Sequence, residues 1–141
     1  MKLFYIILGA SVKGRTIEQH DVFFGIGKKL KDLVPYIKDF WPEAGSDLHL
    51  DAYQEVKFVD GYEIKIVEKG IHKSDNHLFF INLGAVSHID DKHGVDVDDI
   101  FKVNDLLPHE MKEKYTLVLE KSGEVEQKNF IKLKYLKIDK I

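Results

Sequence analysis

The sequence predicts an α+β protein built from two related ββαββ repeats, with mostly antiparallel sheet and the helices on one side. Three observations carry that expectation. First, the apolar run Leu3-Phe4-Tyr5-Ile6-Ile7-Leu8-Gly9-Ala10 returns as Leu78-Phe79-Phe80-Ile81-Asn82-Leu83-Gly84-Ala85. Asp21-Val22-Phe23 likewise returns as Asp99-Ile100-Phe101, and the alternation of Tyr62 to Ile66 returns in Ile131 to Tyr135. Internal similarity of this kind marks repeated supersecondary units. Second, runs of strand character are interrupted in each half by one segment of helical periodicity. Third, the chain has 141 residues, of which 44% are hydrophobic, with nine Phe, six Tyr and one Trp. A chain of this size buries enough surface for one core, while a half of it would be marginal alone. Residues 1–70 are therefore expected as the first repeat and residues 71–141 as a second, diverged one, packed into one compact unit.

Each element has a local reason. Leu3–Leu8 is continuously apolar, as a strand covered on both faces would be. Gly9, Ser11, Gly14 and Thr16 then mark a loop. Val22–Ile26 reads as a second strand, because Gly25 and Gly27 oppose a helix there at about 1 kcal/mol each. Leu30, Leu33, Ile37, Phe40 and Trp41 recur at helical spacing. Pro35 inside that stretch predicts a helix in two pieces or one starting near Asp32. Pro42 and Gly45 end it. Leu48, Leu50 and Ala52 alternate with His49, Asp51 and Tyr53, which predicts a half-buried strand. Asp60-Gly61 is a hairpin signal ahead of a strand carrying Tyr62, Ile64 and Ile66. In the second half a short helix is expected around Leu106–Tyr115. The last strand carries Lys132 and Lys134, which would guard a sheet edge.

Composition excludes several function classes. With no Cys there is no disulfide, thiolate nucleophile or thiolate zinc site. A net charge of -3 gives no field that attracts nucleic acid or an anionic membrane surface. No apolar run approaches the roughly 20 residues of a membrane-spanning helix. Leu3–Leu8 is too short for a signal-peptide core. A cytoplasmic location is expected.

Candidate chemistry centres on the first half. His49 and Asp51, two apart on one strand, would share a face with Tyr53, while Leu48, Leu50 and Ala52 face the core. A His and a carboxylate so placed can act as a general-base pair or as two ligands. They can also simply hydrogen-bond within a sheet. Glu18, His20 and Asp21 precede the second strand and could join them. Gly9 to Thr16 has the spacing G-x-x-x-x-G-[K/R]-[ST], but a phosphate loop needs Lys where Arg15 stands and a helix directly after it. Arg15 is the single Arg beside twenty Lys and could still grip an anion. The acidic stretch with His88, Asp90, Asp91, His93, Asp96, Asp98, Asp99 and Asp105 fits no calcium loop and reads as a solvated surface. No G-x-S-x-G supports serine hydrolysis.

A first strand ending Leu8-Gly9, the couplet His20-Asp21 before an apolar strand, and His49-Leu50-Asp51 resemble the bacterial "domain of unknown function 1543" family. Its members carry the domain in one or two copies, which suits the repeat. The family has no assigned activity, so the resemblance implies kinship without a mechanism. The second half departs from it, with His93-Gly94 in place of the couplet and no counterpart of His49-Leu50-Asp51.

The expectation is a non-enzymatic cytoplasmic module that binds a small anionic molecule or a protein. Its binding residues would be Arg15, Glu18, His20, Asp21, His49, Asp51 and Tyr53. The alternatives are a small enzyme of hydrolase or isomerase type, with His20, His49 and Asp51 as candidate catalytic residues, and a structural domain that self-associates as a homodimer. No metal ion or other cofactor is expected, and neither nucleic acid nor membrane as partner.

Overall fold

A computed structural model describes residues 1–70, 76–82, 100–122, 132–138 and 141. Strand β1 (Lys2–Ala10) runs antiparallel to β2 (Gln19–Gly27). Strand β2 starts earlier than its apolar run, because backbone pairing with β1 continues through His20 and Gln19. A 3-10 turn (Leu30–Leu33), helix α1 (Val34–Phe40) and a second 3-10 segment (Pro42–Asp47) follow. Pro35 lies in the first turn of α1, where its missing N–H is no loss. This is the two-piece helix the sequence predicts, and Leu33 and Ile37 anchor it in the core.

Strand β3 (His49–Glu55) then pairs with the other side of β1. A hairpin joins β4 (Phe58–Val59) to β5 (Tyr62–Glu68). Its turn holds Asp60 at φ 51 and Gly61 at φ 79, the left-handed pair that a two-residue hairpin needs. In the second half, β6 (Phe79–Ile81) pairs with β7 (Ile100–Lys102). Two short helices, α2 (Val103–Leu106) and α3 (His109–Lys114), lead to β8 (Tyr115–Lys121) and β9 (Lys132–Lys137).

Every strand pair among the described residues is antiparallel, so the fold is α+β with sheet orders β2-β1-β3-β9, β4-β5-β8 and β6-β7. The pairing crosses between halves: β3 takes β9 as its neighbour, and β5 takes β8. Among the described residues, β9 lies at the edge of its sheet. Leu83-Gly84-Ala85, the acidic run from His88 to Asp99, and Ile131 lie outside the described residues; Asp105 sits in α2.

Strand β1 is covered on both faces, which explains its unbroken apolar run. On the face of Phe4, Ile6 and Leu8, the partner strand places Gly25 and Phe23. There Leu33 lies close over Gly25, and Phe40 meets Phe23 edge-on at 5.5 Å. On the opposite face Phe80 of β6 packs on Tyr5 and Phe24 at 6.2 and 5.7 Å. Burial raises the pKa of the Tyr5 phenol. Tyr36 of α1 donates its hydroxyl to Glu110 of α3 at 3.0 Å, and that bond raises its pKa too. Among the described residues no helix is long and apolar enough to cross a membrane.

Candidate functional site

Gly9 is paired with His20 of β2 on one side and with His49 of β3 on the other. Directly opposed residues share a face, so two imidazoles flank a position with no side chain. The gap is used. A Cβ on Gly9 would lie 2.6 Å from His49 Nε2, 2.9 Å from Asp51 Oδ2 and 3.0 Å from Glu18 Oε1. Gly9 has no positive φ, so its role is space and not backbone freedom.

Asp51 reaches this place through a β-bulge. Ile7 opposes Ala52 while Leu8 opposes Leu50, leaving Asp51 as the extra residue on β3. The bulge also resets the alternation. Tyr53 now opposes Ile6, on the face away from Gly9, so it does not stand beside His49 and Asp51 as strict alternation predicts. Asp21 opposes Leu8, one step along from His20 and on the other face; its Oδ1 accepts the Val22 N–H at 2.7 Å.

His49 is not on an open face as expected. Only 6% of it is exposed. Its Nδ1–H donates to the Asp47 carbonyl at 2.8 Å, since a carbonyl can only accept. Its Nε2 meets Glu18 Oε1 at 2.7 Å and Asp51 Oδ1 at 3.1 Å. The outer oxygens turn to His20, whose Nε2 is 2.9 Å from Asp51 Oδ2 and 3.8 Å from Glu18 Oε2. Each carboxylate therefore holds the buried histidine with one oxygen and faces the exposed histidine with the other. With Nδ1–H already given to Asp47, contacts from Nε2 to two acceptors require a proton or a cation there. Asp47 also fixes the loop after β1, by accepting the Ser11 N–H on its carboxylate.

Glu18, His20, His49 and Asp51 thus converge, and Asp21 and Tyr53 do not. Arg15 stays on the exposed 11–18 loop. Its N–H closes a turn onto Val12, and its guanidinium makes no ion pair among the described residues. A strand and not a helix follows that loop, which removes the phosphate-loop geometry. Sequence reasoning missed Gly9 and Asp47 as parts of the site. A glycine ending a strand is a signal of close approach, and was the one available for Gly9. The cleft lined by Tyr36, Glu110 and Met111 and the one beside Trp41 and Ile138 include none of the four converging residues.

Fold and site together define an antiparallel α+β protein with a histidine–carboxylate cluster on its four-stranded sheet. Residues 15–66 match the family model of the Domain of Unknown Function DUF1543, the family the sequence resembles. That span contains Glu18, His20, His49 and Asp51. Among solved structures, the protein Il1583 from Idiomarina loihiensis shares the fold, with TM-score 0.68 over 97% of each chain and 24% identity. No curated protein matches the chain.

Proposed function

We propose that the chain is a non-enzymatic cytoplasmic binding module whose binding surface is formed by Glu18, His20 and Asp51. The observation that carries this reading is the buried His49, which holds both carboxylates from behind while their outer oxygens face His20. Burying an imidazole is unfavourable unless its nitrogens are satisfied, and here they are satisfied by groups that gain a fixed orientation. The surface offers acceptors, so it suits a ligand that brings positive charge or hydrogen-bond donors. An anion would meet the Glu18 and Asp51 carboxylates, which repel it.

A second reading has one observation in its favour. His20 is half exposed and oriented by Asp51 at 2.9 Å, the geometry of a general base held by a carboxylate. It would make the chain a small hydrolase or isomerase. The binding reading is preferred because His49 spends its Nε2 on holding both carboxylates in place. The halves themselves read as copies of one ββαββ unit, supported by the two strands that open each half ahead of its helices and by the crossed pairing.

The test is a thermal-shift screen of cations, amines and metabolites against the wild type and Asp51→Asn. A ligand at about 100-fold over its Kd adds roughly 2.7 kcal/mol to the wild type. A screen in which every stabilising compound acts equally on Asp51→Asn defeats the reading.

A further inference from the structure

We propose that Glu18, His20 and Asp51 bind one divalent transition cation of the zinc class, with His49 as the residue that positions the two carboxylates. The inference rests on the binding reading above and names the ligand of that same surface.

The donor set comes first. One imidazole and two carboxylates suit a borderline first-row cation, and the imidazole disfavours magnesium and calcium, which prefer oxygen alone. Three protein ligands leave further positions open to water or to a bound molecule. The geometry agrees. One ligand atom from each of the three residues lies within 4.8 Å of the others. Zinc bonds of about 2.0–2.2 Å put tetrahedral ligand atoms roughly 3.3–3.6 Å apart. The His20 Nε2 distances of 2.9 Å to Asp51 Oδ2 and 3.8 Å to Glu18 Oε2 bracket that span. The three ligand atoms lie within 4.8 Å of one another, so seating a cation requires side-chain shifts of about 1 Å at most.

The surroundings supply the rest. Ligating carboxylates work best when their remaining oxygens are held by hydrogen bonds. His49 does this for both at once, through Glu18 Oε1 and Asp51 Oδ1, and the Asp47 carbonyl fixes its ring in turn. Gly9 leaves the space in which these atoms meet. Two carboxylates turn their outer oxygens to one place beside His20, which supplies anionic oxygen ligands for a cation. With side chains of Glu18 and His20 42% and 52% exposed, the cation would be reached directly from solvent and would exchange readily.

The experiment uses the full chain, stripped with a chelator and dialysed, then titrated by calorimetry with zinc, manganese and magnesium chlorides. Expected are one zinc per chain, binding at least tenfold tighter than magnesium, and loss of that binding in Asp51→Asn and His20→Ala. His49→Gln should keep the site but weaken it about 10–100-fold, as removal of a positioning residue does. Circular dichroism of each variant separates lost ligands from lost folding, and Glu18→Gln, at an exposed position, serves if Asp51→Asn unfolds. Zinc that fails to bind the wild type, or binds His20→Ala and Glu18→Gln as well as the wild type, overturns the proposal. If zinc fails while another cation or amine stabilises the wild type but not Asp51→Asn, the metal assignment falls and the binding reading stands. If nothing acts through the cluster, both fall.

Discussion

Replacing Gly9 with Ala tests the site without touching any of its polar groups. In an extended strand with negative φ the substitution should by itself help, by about 0.4–1 kcal/mol through the unfolded chain. The neighbours reverse the sign. The new methyl would stand 2.6 Å from His49 Nε2, 2.9 Å from Asp51 Oδ2 and 3.0 Å from Glu18 Oε1. Glu18 is a flexible, partly exposed side chain and swings away cheaply, giving up a screened ion pair of about 0.2–1 kcal/mol. His49 cannot swing, because it is buried and tied to Asp47. Displacing it forces overpacking of about 1–3 kcal/mol. The net expectation is a loss of about 1–2 kcal/mol, read as a fall in melting temperature of about 2–8 °C. The assay is urea unfolding of wild type, Gly9→Ala, His49→Ala and the double variant. With the ring removed, the methyl has room, so the cycle should show a coupling of about 1 kcal/mol or more. A Gly9→Ala protein as stable as the wild type would refute the claim that the glycine exists to admit the cluster.

The same geometry sets other expectations. His49→Ala should cost about 2–4 kcal/mol, because it empties a buried site and removes the ring that holds both carboxylates, while exposed His20→Ala should stay within about 1 kcal/mol; denaturant midpoints compare them directly. Residues 1–70 expressed alone lack β8 and β9, so β5 and β3 each lose one of their two neighbouring strands; size-exclusion chromatography and a thermal scan should show association or no cooperative melt, and a monomer that melts sharply would contradict this. Stability should decline in alkali. Tyr5, Tyr36 and Lys65 all have raised pKa values in the fold, by burial, by the Glu110 hydrogen bond and by the Glu120 ion pair respectively. A raised folded value means that the stability is intact below the unfolded pKa, about 10 for these groups, and lost as pH rises through the folded one. Melting should therefore be lower near pH 11 than near pH 8, with Tyr5→Phe and Tyr36→Phe each blunting the difference; identical melts at the two pH values would refute it.

Local signals account for what the sequence made legible. The unbroken apolar run of β1 announced a strand covered on both faces, Pro35 announced the broken helix, and Asp60-Gly61 announced its hairpin. Each is decided within a few residues. The pairing of β3 with β9 is not, because nothing local to Lys132–Lys137 names a partner so distant in the chain. The bulge escaped for a related reason. It exists only relative to β1, where one step from Ile7 to Leu8 meets two on β3. Leu50-Asp51-Ala52 by itself reads as regular alternation, so Tyr53 was placed on the wrong face. The His20, His49 and Asp51 grouping was legible from their asymmetry between halves. The burial of His49 was not, since it depends on contacts with Glu18 and with strands distant in the sequence.

Three features converge at the Gly9 row, and each alone weakens a sheet. Glycine within a strand loses about 0.5–1 kcal/mol relative to Ala. A bulge leaves a residue out of the ladder. A buried imidazole must find a partner for each nitrogen. A sheet under no demand but stability would carry a β-branched residue at position 9, regular pairing at 51 and an apolar side chain at 49. The three departures interlock: the glycine makes room for the imidazole, the bulge turns Asp51 toward it, and the imidazole then fixes the carboxylates whose outer oxygens face His20. Local rules broken together, in contact and with mutually dependent geometry, are what the proposed site would require. The remainder of β1, from Leu3 to Leu8, obeys every rule of a core strand, which confines the exception to the one end of the sheet where the cluster lies.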